Sequence, residues 1–113
     1  MKTVTLGVSS VEATKRRMAA AFHGEAQGTF ISFTSIELLW KVLTAKRWEI
    51  LHAMTGQGSL AIREVARRVG RDVKAVHGDV TALLHAGVLE RSGDAVVFPY
   101  DAVHIDFTLG KAA

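Results

Sequence analysis

Five basic residues, Arg63, Arg67, Arg68, Arg71 and Lys74, fall between Leu60 and Gly78, against two acidic ones, Glu64 and Asp72. The remainder of the chain holds nine basic and nine acidic residues, so the whole excess of +3 sits in this one stretch. Guanidinium and ammonium groups gathered in this way neutralise phosphates and donate to guanine acceptors, the chemistry of a nucleic-acid surface. The bland alternative is a solvated helix face. Asp79, just behind the cluster, weakens a phosphate grip unless it pairs with Lys74 or Arg63 or accepts from a cytosine amino group.

No other chemistry has the residues it needs. Cysteine is absent, which removes disulfides, thiolate metal sites and thiol nucleophiles together. The histidines (His23, His52, His77, His85, His104) include no pair at His-Glu-x-x-His spacing. His77 and His85 are separated by slightly over two helical turns, and His104 shares one face of a strand with Asp106. Gly56-Gln57-Gly58 is too weak a signal for a phosphate loop, and no nucleophile elbow or paired acids occur. We expect no catalytic residues, no metal site and no cofactor. Trp40 and Trp48 are expected as core or interface aromatics, since a ligand pocket would need both exposed together.

A chain of 113 residues, 49% hydrophobic and 22% charged, is one folded domain with appendages. Charged and polar groups interrupt MKTVTLGVSSVEATKRR before signal-peptide or membrane-span length, so a cytoplasmic protein with no membrane partner is expected. Residues 2–8 alternate, with Val4, Leu6 and Val8 opposite Thr3, Thr5 and Gly7, as in a short strand. Ser9 or Ser10 then caps a helix from Val11 to Ala26. Thr29 to Phe33 is a second strand by its β-branched and aromatic content. From Ile36 to Met54 apolar residues recur at helical spacing, with a break near Thr44-Ala45.

The basic cluster itself lies on two short helices. Leu60 to Gly70 buries Ile62, Val65, Ala66 and Val69, and Gly70 closes it in the left-handed conformation. Asp72 caps a second helix, Val73 to about His85, with an apolar stripe of Val73, Val76, Val80, Leu83 and Leu84. Ala86 to Pro99 runs apolar, then Ser-Gly-Asp turn, then apolar, which is a β-hairpin. Val103, Ile105, Phe107 and Leu109 alternate as a last strand. The first and last strands each present an edge that needs a partner.

Through REVARRVGRDVKAVHGDVTALLHAGVLERSGDAVVF, roughly residues 36 to 100 resemble the winged helix-turn-helix regulators of the ArsR and MarR type. The whole order, with Ile-Ser-Phe-Thr-Ser-Ile-Glu, Leu-Thr-Ala-Lys-Arg-Trp-Glu-Ile-Leu, Gly-Arg-Asp and Phe-Pro-Tyr-Asp, is similar to a prokaryotic family of DNA-binding proteins often paired with TumE-type toxins. The resemblance implies an α+β winged helix-turn-helix with an extra amino-terminal strand-helix and a carboxyl-terminal strand. The expected divisions are 1–33 as a dimerisation or partner-contact extension, 34–100 as the DNA-binding domain, and 101–113 as the last strand and tail. Metal sensing of the ArsR type is disfavoured by the missing cysteines.

The expected function is sequence-specific DNA binding by an autoregulatory repressor acting as a homodimer on double-stranded DNA. The alternative is the antitoxin of a type II pair, neutralising a toxin protein by direct contact. With Val76, Val80, Leu83 and Leu84 turned inward, Lys74, His77, Gly78 and Thr81 face out and Arg71 sits at the start of the helix, as base-reading or near-base residues. Arg63, Arg67 and Arg68 are assigned to phosphates, and Arg91 and Ser92 at the hairpin tip to backbone or minor groove. Replacing Arg71 or Lys74 by alanine is expected to weaken specific binding with the melting temperature nearly unchanged.

Overall fold

A computed structural model describes residues 2–8 and 29–107 of the chain. The helix expected from Val11 to Ala26, its Ser9 or Ser10 cap, and Leu109 lie outside the described residues. The described elements are β1 (Thr3–Val8), β2 (Thr29–Phe33), α1 (Ile36–Val42), α2 (Ala45–Met54), β3 (Ser59–Leu60), α3 (Ile62–Val69), α4 (Val73–His85), β4 (Glu90–Ser92), β5 (Ala95–Val97) and β6 (Ala102–Asp106). They form a small compact α+β domain of four helices and two three-stranded sheets among the described residues.

The first sheet is parallel throughout, in the order β2-β1-β6. Its centre is β1, whose Val4 and Leu6 are fully buried, whereas Val8 at the strand end is exposed. The expected needy edge of β1 does not exist, because β2 and β6 cover both of its sides. Lys2 and Asp101 close the start of this pairing: the Lys2 amide donates to Asp101 Oδ2 at 2.8 Å, and the Asp101 amide donates to the Lys2 carbonyl at 2.7 Å. Gly7 stands where β6 and Phe30 come closest. A Cβ there would lie 2.7 Å from the Asp106 carbonyl and 2.9 Å from Phe30 Cζ.

The break between α1 and α2 falls where the sequence places it, and its cause is capping. Ser35 Oγ accepts from the Leu38 amide to start α1, and Thr44 Oγ1 accepts from the Arg47 amide to start α2. Each hydroxyl satisfies a donor that the first helical turn leaves without a partner.

The second sheet, β3-β5-β4, is antiparallel. Its first strand corrects the expected start of α3. Ser59 and Leu60 are extended and pair with Val97 and Val96, so the helix begins at Ile62. Pairing with β5 buries Leu60, and Ala61, the residue before the helix, has no side chain that can cap it. Residues Val88 and Leu89, expected as part of the hairpin strand, are a buried connection instead, and the strand proper is the exposed Glu90–Ser92.

One cluster of buried side chains joins Val4 and Leu6 of the first sheet to Leu39, Ile50, Val65, Val76, Leu83 and Val96. Val103 and Ile105 of the last segment are partly buried against this cluster, so the described parts of all three expected segments meet at one core.

Candidate nucleic-acid interface

The basic stretch is positioned by α3, the turn Gly70-Arg71-Asp72 and α4. Val65 and Ala66 anchor α3, with Ile62 and Val69 half-buried beside them. Gly70 ends the helix at φ 67°, a left-handed conformation that costs side-chain-bearing residues about 1 kcal/mol or more. Its amide and that of Arg71 return to carbonyls of the last turn. Asp72 Oδ2 then accepts from the amides of Lys74 at 3.0 Å and Ala75 at 3.3 Å, which fixes the direction of α4.

On α4, Val76, Val80 and Leu83 are fully buried and Leu84 is half-buried. Val73, expected on the same stripe, is exposed, because the first turn of α4 projects beyond the core. Lys74 and Gly78 are exposed on the opposite side, and His77 is exposed on the flank between. Thr81 is half-buried, and its hydroxyl donates to the His77 carbonyl at 2.8 Å.

The five cations of the cluster divide into three kinds. Arg63 and Lys74 are exposed, and their side chains have no ion-pair partner among the described residues. Arg67 and Arg68 share Glu64: Arg67 Nε donates to both carboxylate oxygens at 2.9 and 3.0 Å, and its Nη2 contacts Oε1 as well, while Arg68 Nε donates at 3.2 Å. Arg68 is held further by Gln57 Oε1 at 2.9 Å, whereas the side chain of Arg67 remains 72% exposed. The Arg67 and Arg68 hydrogen bonds hold the Glu64 carboxyl down to about 2, so it stays ionised through the neutral range.

Arg71 is the third kind. Its side chain is only 18% exposed, and Nη2 is 2.8 Å from Asp79 Oδ2. Its Nη1 is buried without a hydrogen-bond partner among the described residues. A guanidinium engaged in this way is not free to read a base, and its loss would be felt by the fold. Asp79 pairs with neither Lys74 nor Arg63 but with Arg71 and with Arg47, whose Nε lies 3.0 Å from Oδ1. Burial pushes the Asp79 carboxyl up, and the two arginines outweigh it, leaving the group below the usual carboxylate range. Arg47 also donates through Nη1 to the carbonyls of Lys41 and Val42 at 3.0 Å each, tying the end of α1 to α4. Arg47 was missed in the sequence. The available signal was Asp79 itself, an acid on the flank of an apolar stripe that requires a cation from another element.

At the hairpin tip Arg91 is exposed, and Ser92 is engaged: its hydroxyl oxygen accepts from Ser59 Oγ at 2.9 Å, fastening β4 to β3. Trp40 and Trp48 are not core residues. Both are exposed, and together with Leu43, Ala45 and Ile105 they line an open cleft of about 570 Å³. Among the described residues no three His, Asp or Glu converge on a metal position, and no helix is long and apolar enough to cross a membrane.

These elements define a small α+β domain that carries a basic surface on two consecutive helices and a hairpin. The chain belongs to the HVO_A0114 family, whose model matches residues 42–105, from the last residue of α1 into β6. No curated protein and no solved structure matches it.

Proposed function

We propose that the protein is a sequence-specific DNA-binding regulator with the winged helix-turn-helix architecture, α4 serving as the recognition helix and the β4-β5 hairpin as the wing. The observation that carries this reading is the polar flank of α4. Lys74 and Gly78 are exposed opposite Val76, Val80 and Leu83, and His77 is exposed on the flank of the same helix, with Arg63 of α3, which has no ion-pair partner among the described residues, on the preceding helix. A helix anchored on one side with donors on the other fits a major groove, which admits one helix. The order β3-β5-β4 behind it, with the short strand preceding α3 paired to the second hairpin strand, is consistent with a wing.

In this reading Lys74 and His77 meet base edges, and Gly78 lets the helix approach the groove closely. Arg63, Arg67 and Arg91 meet phosphates. Arg71 and Arg68 hold the surface in place rather than touching bases. The regulator works as a homodimer, since a single small module buries too little surface for operator-grade affinity. Two α4 helices would then read half-sites about 34–36 Å apart.

The experiment is a gel shift on the DNA upstream of the protein's own reading frame, with unrelated duplex as competitor. Retardation that survives the competitor and is lost in Lys74→Ala supports the reading. Equal retardation of both duplexes by the wild type, or none, defeats it.

A further inference from the structure

We infer that the outer edge of β6 is an interface between two copies of this chain, joined antiparallel about a two-fold axis at Ile105, so that the two β2-β1-β6 sheets become one six-stranded sheet. The inference takes the homodimer from the proposed function and names its surface.

Three observations carry it. First, β6 ends the sheet, and no main-chain group of Ala102–Asp106 pairs with anything but β1 among the described residues. Its one charged side chain is Asp106, and Ala-Val-His-Ile-Asp has no Lys, no Pro and no bulge to protect the edge. Second, the strand is complementary to itself. In an antiparallel pair centred on Ile105, His104 lies directly opposite the partner's Asp106, and Asp106 opposite the partner's His104. This is the reciprocal pattern that a two-fold axis demands. Both side chains are exposed. Shifting the centre to Asp106 would set two carboxylates face to face, and centring on His104 would pair the two imidazoles.

Third, the other face of the same strand continues into exposed aromatic surface. Phe107 follows β6 and meets Trp40 edge-to-face at 5.5 Å, yet Phe107 is 42% and Trp40 48% exposed. In the register centred on Ile105, Phe107 lies opposite the partner's Val103, so the second copy extends apolar cover beside Trp40. The other sheet edge, β2, has only uncharged residues, Thr-Phe-Ile-Ser-Phe, and no such self-complementary pair.

The test is run without DNA, so that its failure and the failure of DNA reading are separate results. Sedimentation of the full chain should show a dimer. His104→Asp places two carboxylates opposite each other twice per dimer, and should raise the dissociation constant about tenfold. The swap His104→Asp with Asp106→His should restore it. The chain has no cysteine, so mixing a His104→Cys chain with an Asp106→Cys chain should give disulfide-linked dimers faster than either chain alone. Both positions are exposed and neither substitution threatens folding. A monomer up to the solubility limit, its edge then left to another protein or to residues 108–113, overturns the inference. So does a dimer indifferent to the charge swap, or one in which the mixed cysteine chains cross-link no faster than the separate ones.

Discussion

Asp79 on α4 holds two arginines from different parts of the chain, Arg71 on Oδ2 at 2.8 Å and Arg47 on Oδ1 at 3.0 Å, with its own side chain 17% exposed. One of them comes from the turn before α4 and the other from the start of α2. The carboxylate therefore sets how α4 is rotated and held against α1 and α2, and with it where Lys74 and His77 point. Asp79→Ala leaves two mostly buried guanidiniums without their counter-charge, Arg47 keeping only its carbonyl acceptors. It should destabilise the domain by about 2–3 kcal/mol, less than a fully buried pair because solvent reaches this one. Urea unfolding checks it: a midpoint equal to wild type would show that the pair contributes nothing.

The same carboxylate gives the domain an acid limit. The folded-state Asp79 titrates below the usual carboxylate range, so its contribution is fully present above the unfolded-state value of about 4 and is lost as pH falls through the depressed folded value. Glu64, held at about 2 by Arg67 and Arg68, acts with the same sign, although its exposure makes it the weaker partner. Thermal melts of wild type and Asp79→Asn from pH 7 to pH 3 should converge as the pH drops below about 4. A gap that stays constant over that range would assign the stabilisation to something other than the ionised acid.

The contrast between Arg71 and Lys74 shows what the sequence could and could not disclose. The two helices, the Gly70 stop and the Asp72 cap were legible because each rests on a local rule, a 3.6-residue stripe or a one-residue cap. The inward positions of Val76, Val80 and Leu83 followed from the same stripe. The fate of Arg71 was not legible, because it rests on Asp79 across the turn and Asp79 rests in turn on Arg47, 32 residues away, whereas Arg67 and Arg68 pair with Glu64 at the local helical spacings. Leu60, which the sequence places at the start of the helix, is a strand residue for a similar reason. Only the position of Val96 and Val97, brought alongside by the hairpin, makes Ser59 and Leu60 a strand. The parallel pairing of β1 with β6 spans nearly the whole described chain, and no local pattern encodes it.

Gly7 is expected to tolerate no side chain. A methyl at this position would meet the Asp106 carbonyl at 2.7 Å, a backbone atom fixed by the β1-β6 pairing, as well as the Phe30 ring. Gly7→Ala should cost about 1–3 kcal/mol through forced displacement of β6. Because β6 is also the inferred edge of the dimer, the variant should lose dimer in sedimentation as well as stability in thermal melts. An unchanged melting temperature would mean that the two strands separate more easily than their close approach implies.

The assignment of cations to roles separates three alanine variants by what each changes. Arg71→Ala leaves Asp79 with one partner and should lower stability by about 1 kcal/mol, weakening DNA binding only through the altered seat of α4. Lys74→Ala removes an exposed side chain with no ion pair among the described residues, so stability should hold while discrimination between operator and unrelated duplex falls by about 1–3 kcal/mol. Arg63→Ala also removes a side chain without an ion-pair partner among the described residues, but one assigned to phosphate in the proposed reading. It should weaken every duplex alike and reduce the slope of log affinity against log salt by about one. Arg67 is the intermediate case, because a phosphate must compete with Glu64 for it, and its alanine variant should change the slope by less than that of Arg63. Measuring affinity at several salt concentrations, beside melting curves, separates these outcomes. If Arg63→Ala keeps the wild-type slope while Arg67→Ala lowers it by a full unit, the phosphate clamp lies on the Glu64 side of α3, and the surface that faces DNA is rotated from the one proposed.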